Sequence, residues 1–235
     1  MDKITAIVLS AGKGSRMQSD IPKQYMLIDE KPVIYYSLKA FEDSMVSQIV
    51  LVTGKGDVEY CKKEIVEKYG LKKVVALVEG GAERYDSVFC GLMAAENSDY
   101  VLIHDGARPM IDQKIINDSI ECVRKTKACV VGMPVKDTIK ISNIDGYAVD
   151  TPDRKMLWSI QTPQSFSYAL ICEAYKKLYG DIQSGKSVPP ITDDAMVVEY
   201  GTDVKVRLIE GSYQNIKITT PEDICIADIF LKNRK

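Results

Sequence analysis

At 235 residues and 46% apolar content the chain can bury a full core, and its length lies between one large domain and two small ones. Charged residues make up 27% yet nearly cancel to a formal net charge of −2, which excludes a broad nucleic-acid-binding surface or an acidic tail, so any anion site must be local. No stretch approaches the ~20 apolar residues of a membrane span, and Met1-Asp2-Lys3 leads into a strand without a signal-peptide pattern, so a cytoplasmic protein is expected.

Through residue 133, strand-length apolar runs alternate with helix-period segments, as in an α/β fold with a mostly parallel twisted sheet and helices on both faces. Strands are predicted at Ile4–Ser10, Gln48–Thr53, Val74–Val78, Tyr100–His104 and Cys129–Met133. Helices are predicted between them at Pro32–Asp43, with proline at its first position, and at Asp57–Tyr69, Glu83–Glu96 and Gln113–Thr126. From Pro134 to Trp158 the helical period is lost, and Val135–Ser142 and Tyr147–Asp150 flank an Asp145-Gly146 turn, the pattern of a protruding β-hairpin arm. The arm carries too many charges to bury much alone, so a second subunit is its expected support. A short strand at Ile160-Gln161, helices Tyr168–Tyr179 and Asp193–Tyr200 with Thr192 as N-cap, and strands Lys205–Ile209 and Asn215–Ile218 follow. A last helix opens on Thr220-Pro221-Glu222-Asp223, a cap, an N1 proline and an acidic first turn.

The six cysteines are scattered without a CxxC pair and read as reduced core residues, and His104 is the sole histidine, which leaves little for a zinc site or a Ser-His-Asp triad. His104 itself reads as structural. The first strand ends in Ser10-Ala11-Gly12-Lys13-Gly14-Ser15-Arg16-Met17, a glycine turn whose backbone N–H groups could approach phosphate. Its spacing is not that of a P-loop. A dinucleotide fingerprint fails as well, because Met17 stands at the third glycine and Thr53-Gly54 where strand two should end in an acid. Lys13, Arg16 and Lys23 converge on this turn; solvated charges on an ordinary Gly turn are the plain alternative.

Eight motifs occur in order: Ala11-Gly12-x-Gly14-x-Arg16-Met17, Pro22-Lys23-Gln24, Gly80-Gly81-x-Glu83-Arg84-x-x-Ser87-Val88, His104-Asp105-x-Ala107-Arg108-Pro109, Pro134-Val135-Lys136-Asp137-Thr138-Ile139-Lys140, Asp153-Arg154-x-x-Leu157-Trp158, Gln161-Thr162-Pro163-Gln164 and Asn215-Ile216-Lys217-Ile218-Thr219. With them the chain resembles the nucleotidyltransferases, and among these the 2-C-methyl-D-erythritol 4-phosphate cytidylyltransferase family of non-mevalonate isoprenoid biosynthesis. The resemblance implies one Rossmann-like nucleotidyltransferase domain over 1–235, with the arm at about 134–158 used for dimerisation. It implies attack of a polyol phosphate on the α-phosphate of CTP, with release of pyrophosphate and with Mg²⁺ as cofactor.

The resemblance places Arg16, Lys23 and Lys217 around the α-phosphate as the catalytic groups. CTP would lie against Ser10, Ala11, Gly12 and Gly14, with Gly80, Gly81 and Ser87 near the base. Asp105 would hold Mg²⁺ together with the triphosphate. The polyol phosphate would meet Arg108, Thr138, Arg154 and Thr162, the arm of one subunit reaching into the other. Most of these residues also have a structural reading: Asp105 as a turn aspartate, Gly80-Gly81 as a strand-to-helix turn, Thr138 as a β-former, and Arg154 or Lys217 as a surface cation. Arg84 reads as a structural cation at a helix start, and Arg108 could pair with Asp105. Two departures stand out, Leu9-Ser10-Ala11-Gly12 where the family commonly has Pro-Ala-Ala-Gly, and Asp193-Asp194 where many relatives have Asp-Glu. A ribitol 5-phosphate cytidylyltransferase is the nearest alternative, a non-catalytic nucleotide-binding module a more distant one.

Overall fold

The computed structural model describes residues 2–12, 14, 17 and 21–234. Strand β1 (Ile4–Ser10) precedes a two-residue hairpin, β2 (Leu27–Ile28) with β3 (Lys31–Pro32). Then come α1 (Val33–Glu42), β4 (Gln48–Thr53), α2 (Val58–Tyr60), β5 (Val74–Glu79), α3 (Arg84–Ala94), β6 (Tyr100–Asp105), α4 (Gln113–Thr126) and β7 (Ala128–Pro134). The second half contributes β8 (Ile141–Ser142), β9 (Ala148–Asp150), β10 (Trp158–Ser167), α5 (Tyr168–Gln183), α6 (Asp194–Gly201), β11 (Arg207–Glu210) and α7 (Pro221–Lys232).

Seven strands form one sheet in the order β11-β7-β10-β6-β1-β4-β5. Every neighbouring pair is parallel except those of β10, which runs antiparallel to both β6 and β7. The alternation of each strand explains why both faces are covered. On one face Ala6, Val8, Ile49, Leu51 and Leu102 meet Ile34, Leu38 and Phe41 of α1 and Ile115, Ile116 and Ile120 of α4. On the other Ile7, Val50, Val52, Val101 and Ile103 meet Val88 and Leu92 of α3 and Ile171, Tyr175 and Leu178 of α5. The α/β class with helices on both faces is therefore as expected. From β1 the chain winds outward through β4 to β5, and α3 then returns it to β6 on the opposite side of β1. That reversal opens a crevice at the strands' carboxyl ends, the place where open α/β sheets hold ligands.

Five local expectations need correction. The strand expected at Ile160-Gln161 is the ten-residue β10, and Pro163 falls between the register points Ile160 and Gln164, where no ladder N–H is required. Asn215–Ile218 is not a strand; side-chain hydrogen bonds hold it instead. Asp193, rather than Thr192, caps α6, its carboxylate accepting from the Met196 N–H. Pro32 is the N-cap of α1 and not its first helical residue. The arm's hairpin forms, but of the strand expected at Val135–Ser142 only β8 is one: it pairs with β9 across a turn in which Gly146 adopts φ +84, and Asn143 accepts from the N–H groups of Gly146 and Tyr147. Its apolar side chains find no core on this chain. Ile144 is 102% exposed, Tyr147 73%, Val149 61% and Met156 80%.

Candidate active site at the carboxyl edge of the sheet

A cavity of ≈ 780 Å³ lies at the carboxyl ends of β1, β4, β5 and β6, and Ser10, Ala11, Gly12, Lys23, Gly80, Gly81, Ser87, Asp105 and Lys217 all line it. Missing side chains shape one wall. A Cβ on Gly80 would stand 2.5 Å from Ser87 Oγ and 2.6 Å from the Ala11 Cβ, and one on Gly81 would strike Asp86. The turn into α3 can thus lie against the β1 loop only because both positions are glycine. Ser87 Oγ ties that turn, accepting from the Gly81 N–H at 3.2 Å and donating to the Glu83 carbonyl.

The opposite wall is held by Gln24, which is 3% exposed and donates from Nε2 to the Ser10 carbonyl at 2.7 Å and the Gly12 carbonyl at 3.2 Å. Gly14, at φ +64, packs on the Lys23 stem without lining the cavity. Arg16, like Lys13, lies outside the described residues. The Ser10 side chain shares the face of Ala6 and Val8; its Oγ is buried without a hydrogen-bond partner.

Lys217 arrives from a laced segment. The Ile218 N–H donates to the Ala107 carbonyl at 2.8 Å, Asn215 Nδ2 to the Thr162 carbonyl at 3.0 Å, and the Arg108 guanidinium to the Asn215 carbonyl at 2.7 Å. These bonds bring Lys217 Nζ to 2.7 Å from Asp105 Oδ2, while Arg84 Nε stands 3.3 Å from Asp105 Oδ1. Burial alone would raise the Asp105 carboxyl, but Arg84, Lys217 and Arg108 outweigh it and hold it well below the usual carboxylate range. Arg84 is anchored at its other end by Asp194, 2.8 Å from Nη2 and fully buried. Arg84 thus bridges Asp105 and Asp194 while lining both cavities.

A second cavity of ≈ 290 Å³ adjoins the first through Arg84, Asp105 and Lys217 and is lined by Arg108, Gln161, Thr162 and Gln164 among others. Among the described residues Arg108 makes no ion pair with Asp105, and its buried Nε has no partner. Thr162 Oγ1 accepts from the Asp105 N–H at 3.1 Å and lies 3.0 Å from His104 Nδ1, while His104 Nε2 lies 3.3 Å from the Arg108 carbonyl. This pattern fits a neutral ring protonated on Nε2, with the threonine donating to Nδ1. Burial pushes His104 down to about 4, which keeps it neutral.

The sequence profile of the 2-C-methyl-D-erythritol 4-phosphate cytidylyltransferase family matches residues 4–233. The chain belongs to that family. A 2-C-methyl-D-erythritol 4-phosphate cytidylyltransferase of Lachnoclostridium phytofermentans is 51% identical, covering 100% of this chain and 99% of its own length. One from Lachnospira eligens is 55% identical over 97% of this chain and 99% of its own. A solved structure, the 4-diphosphocytidyl-2C-methyl-D-erythritol synthase of Anaerococcus prevotii, superposes with a TM-score of 0.84 at 36% identity, over 98% of this chain and 96% of that one.

Within this cytidylyltransferase frame the two glutamines of the Gln161-Thr162-Pro163-Gln164 motif gain a physical reason. Gln161 donates to the Ser212 carbonyl and accepts from Asn215, so it carries the Lys217 segment. Gln164 Oε1 accepts from the N–H groups of Asp194 and Ala195, and its Nε2 donates to Asp193, so it holds the start of α6 under Arg84. Thr138 and Arg154, by contrast, are exposed on the arm and line neither cavity; Arg154 Nη1 donates to the Lys136 carbonyl at 2.6 Å. Sequence reasoning missed the bracing by Gln24, Gln164 and Asp194, because nothing local marks a side chain that bonds 14, 30 or 110 positions away.

Proposed function

We infer that the chain joins CTP to 2-C-methyl-D-erythritol 4-phosphate, giving the CDP-methylerythritol product and pyrophosphate in isoprenoid biosynthesis. The carrying observation is that a chain matching this family over residues 4–233 gathers Lys23, Lys217, Asp105 and two glycine turns around one cavity. A phosphate oxygen of the acceptor bonds to the α-phosphorus of CTP, and the bond from that phosphorus to the departing pyrophosphate breaks. No side chain need act as a base, since a phosphate monoester with a second pKa near ~6 is mostly dianionic at neutral pH. What must be overcome is repulsion, roughly 4 kcal/mol per unit-charge pair at ~4 Å and an effective dielectric of ~20.

Lys23, Lys217 and Arg16 are assigned to that task, stabilising charge on the α-phosphate as the two anions meet. The β1 loop, Gly80, Gly81 and Ser87 receive the nucleotide, and Arg108 with Thr162 border the acceptor phosphate. Thr162 acts there through position, its hydroxyl being engaged by Asp105 and His104.

Mg²⁺ fits the donor set in one way. Among the described residues no group of three His, Cys, Asp or Glu side chains could hold a metal, so Asp105 would supply a single hard carboxylate and the triphosphate the other oxygens. Bound there, Mg²⁺ would add positive charge to the phosphates.

The exposed apolar arm supports a homodimer, with Thr138 and Arg154 offered to the partner's acceptor site. No helix among the described residues is long and apolar enough to cross a membrane, and consumption of CTP suits a cytoplasmic location. The test is pyrophosphate release with CTP and Mg²⁺, comparing methylerythritol phosphate with ribitol 5-phosphate. Turnover of the first is expected, and turnover of the second alone would overturn the substrate assignment while leaving the chemistry.

A further inference from the structure

Among the described residues two cations touch the Asp105 carboxylate, and their circumstances differ. Lys217 approaches Oδ2 with a side chain 38% exposed, at the mouth shared by both cavities. Arg84 approaches Oδ1 with Nε and is tied behind by Nη2 to Asp194. Asp194 is itself fixed: it is 0% exposed, its Oδ1 accepts from Tyr175 Oη at 2.9 Å, and its backbone N–H donates to Gln164. Tyr175 is fully buried in the core between α3 and α5. The charges alternate from the core outward, Asp194, Arg84, Asp105, Lys217.

We propose that Arg84 and Asp194 form a positioning pair that pins Asp105 and balances its charge, leaving Lys217 as the one exchangeable cation of the two that touch it. The proposal rests on the cytidylyltransferase reading and deepens it. Arg84 lines both cavities and could be mistaken for a phosphate ligand, but turning to a phosphate would strand Asp194, a fully buried carboxylate, with only a tyrosine hydroxyl for company. Guanidinium geometry suits the part, because its planar fork serves two acids at once from different edges, which the point charge of a lysine cannot do. When a triphosphate enters, Lys217 can move its ammonium from Asp105 to phosphate oxygen. Asp105 then keeps its contact with Arg84 through Oδ1. Without the pair, Lys217 would be the only cation among the described residues in contact with Asp105, and each encounter with nucleotide would have to break that bond.

Arg84 is therefore a positioning residue and not a phosphate-binding one. The informative variant is Asp194→Asn, which keeps shape and removes the anchor; Arg84→Gln would strand Asp194 and confuse activity with folding. In the wild type the Arg84 Nε–H should give a resolved, slowly exchanging ¹H–¹⁵N cross-peak, assigned through its loss in Arg84→Lys, and it should hold its position when CTP and Mg²⁺ are added. In Asp194→Asn the peak should broaden or exchange fast, with far-ultraviolet circular dichroism unchanged. In the same variant kcat should fall ~10-fold or more while KM for CTP stays within about 3-fold, the signature of lost positioning. Asp194→Glu should recover most of kcat.

A large shift of the Arg84 peak on adding CTP would overturn the proposal, since Arg84 would then be a phosphate ligand. A folded Asp194→Asn with wild-type kcat and an unchanged peak would overturn it equally, because the anchor would then be dispensable. Failure of the wild type to release pyrophosphate would count against the reaction, whereas the spectral comparison judges the pair without turnover.

Discussion

At the residue scale the cations of the two cavities differ in their surroundings. Lys23 lines the larger cavity beside the β1 loop, and its stem packs on Gly14. Replacing it by alanine should lower kcat by ~100-fold or more while changing CTP affinity far less, because the charge it would stabilise develops in the transition state. Steady-state kinetics beside equilibrium CTP binding checks this; a wild-type rate would remove Lys23 from the catalytic set. Ser10 presents the opposite case. The backbone of Ser10, Ala11 and Gly12 was expected beside the nucleotide; the Ser10 Oγ is buried on the face of Ala6 and Val8, and its carbonyl is taken by Gln24. Ser10→Ala should therefore leave the preference for CTP over UTP unchanged. Loss of CTP preference in competition assays would return Ser10 to the base pocket.

At the scale of elements, the parallel half of the sheet was legible because hydrophobic periodicity switches cleanly between strand and helix up to β7. β10 was not, since Gln161-Thr162-Pro163-Gln164 has the look of a polar loop with a proline. Partners on both sides make it a strand, and Pro163 sits where the ladder with β7 lapses. The reverse error arose at Asn215–Ile218, which alternates like a strand but is bound by Arg108, Gln161 and Thr162 side-chain and backbone groups instead. Most of the described site residues named in advance from motifs line the two cavities, Gly14, Thr138 and Arg154 excepted, whereas the bonds joining β6, β10 and the Lys217 segment were not legible, being long-range.

One of those joints has a pH signature. The buried His104 is held down to about 4 against 6.5 when unfolded, so the native state binds its proton less readily than the unfolded chain. Its contribution is complete above about pH 6.5 and is lost as pH falls toward about 4, a total of about 3 kcal/mol. Denaturant titrations at pH 7.5 and pH 5.0 should show this decline, and equal stability at the two would place His104 in contact with solvent.

At the scale of the whole molecule, the arm is the part of the chain that lacks a core. Ile141 is 49% exposed and Val149 61%, and they lie on the paired strands β8 and β9 of a hairpin too small to stabilise itself. Solvent exposure of such a surface is costly, which is why a second copy is the expected cover. Ile141→Asp with Val149→Asp should convert a dimer to a monomer by light scattering and abolish turnover, while leaving the β6–β1–β4 crevice able to bind CTP. A variant that stays dimeric would move the interface elsewhere, and a monomer with full activity would refute a site completed by the partner's Arg154.

The pairing of β7 with β10 has a further implication for how such a chain can change. Pro134 stands opposite Trp158, and the Val135 N–H donates to the Leu157 carbonyl, so the chain leaves and rejoins the sheet at adjacent points of one ladder. The segment between is a detour inserted into what would otherwise be a plain antiparallel hairpin. Insertions of this kind can lengthen or shorten without disturbing the register of the strands that bear them, so the length of the arm can change while the crevice at the carboxyl ends of β1, β4, β5 and β6 keeps its shape.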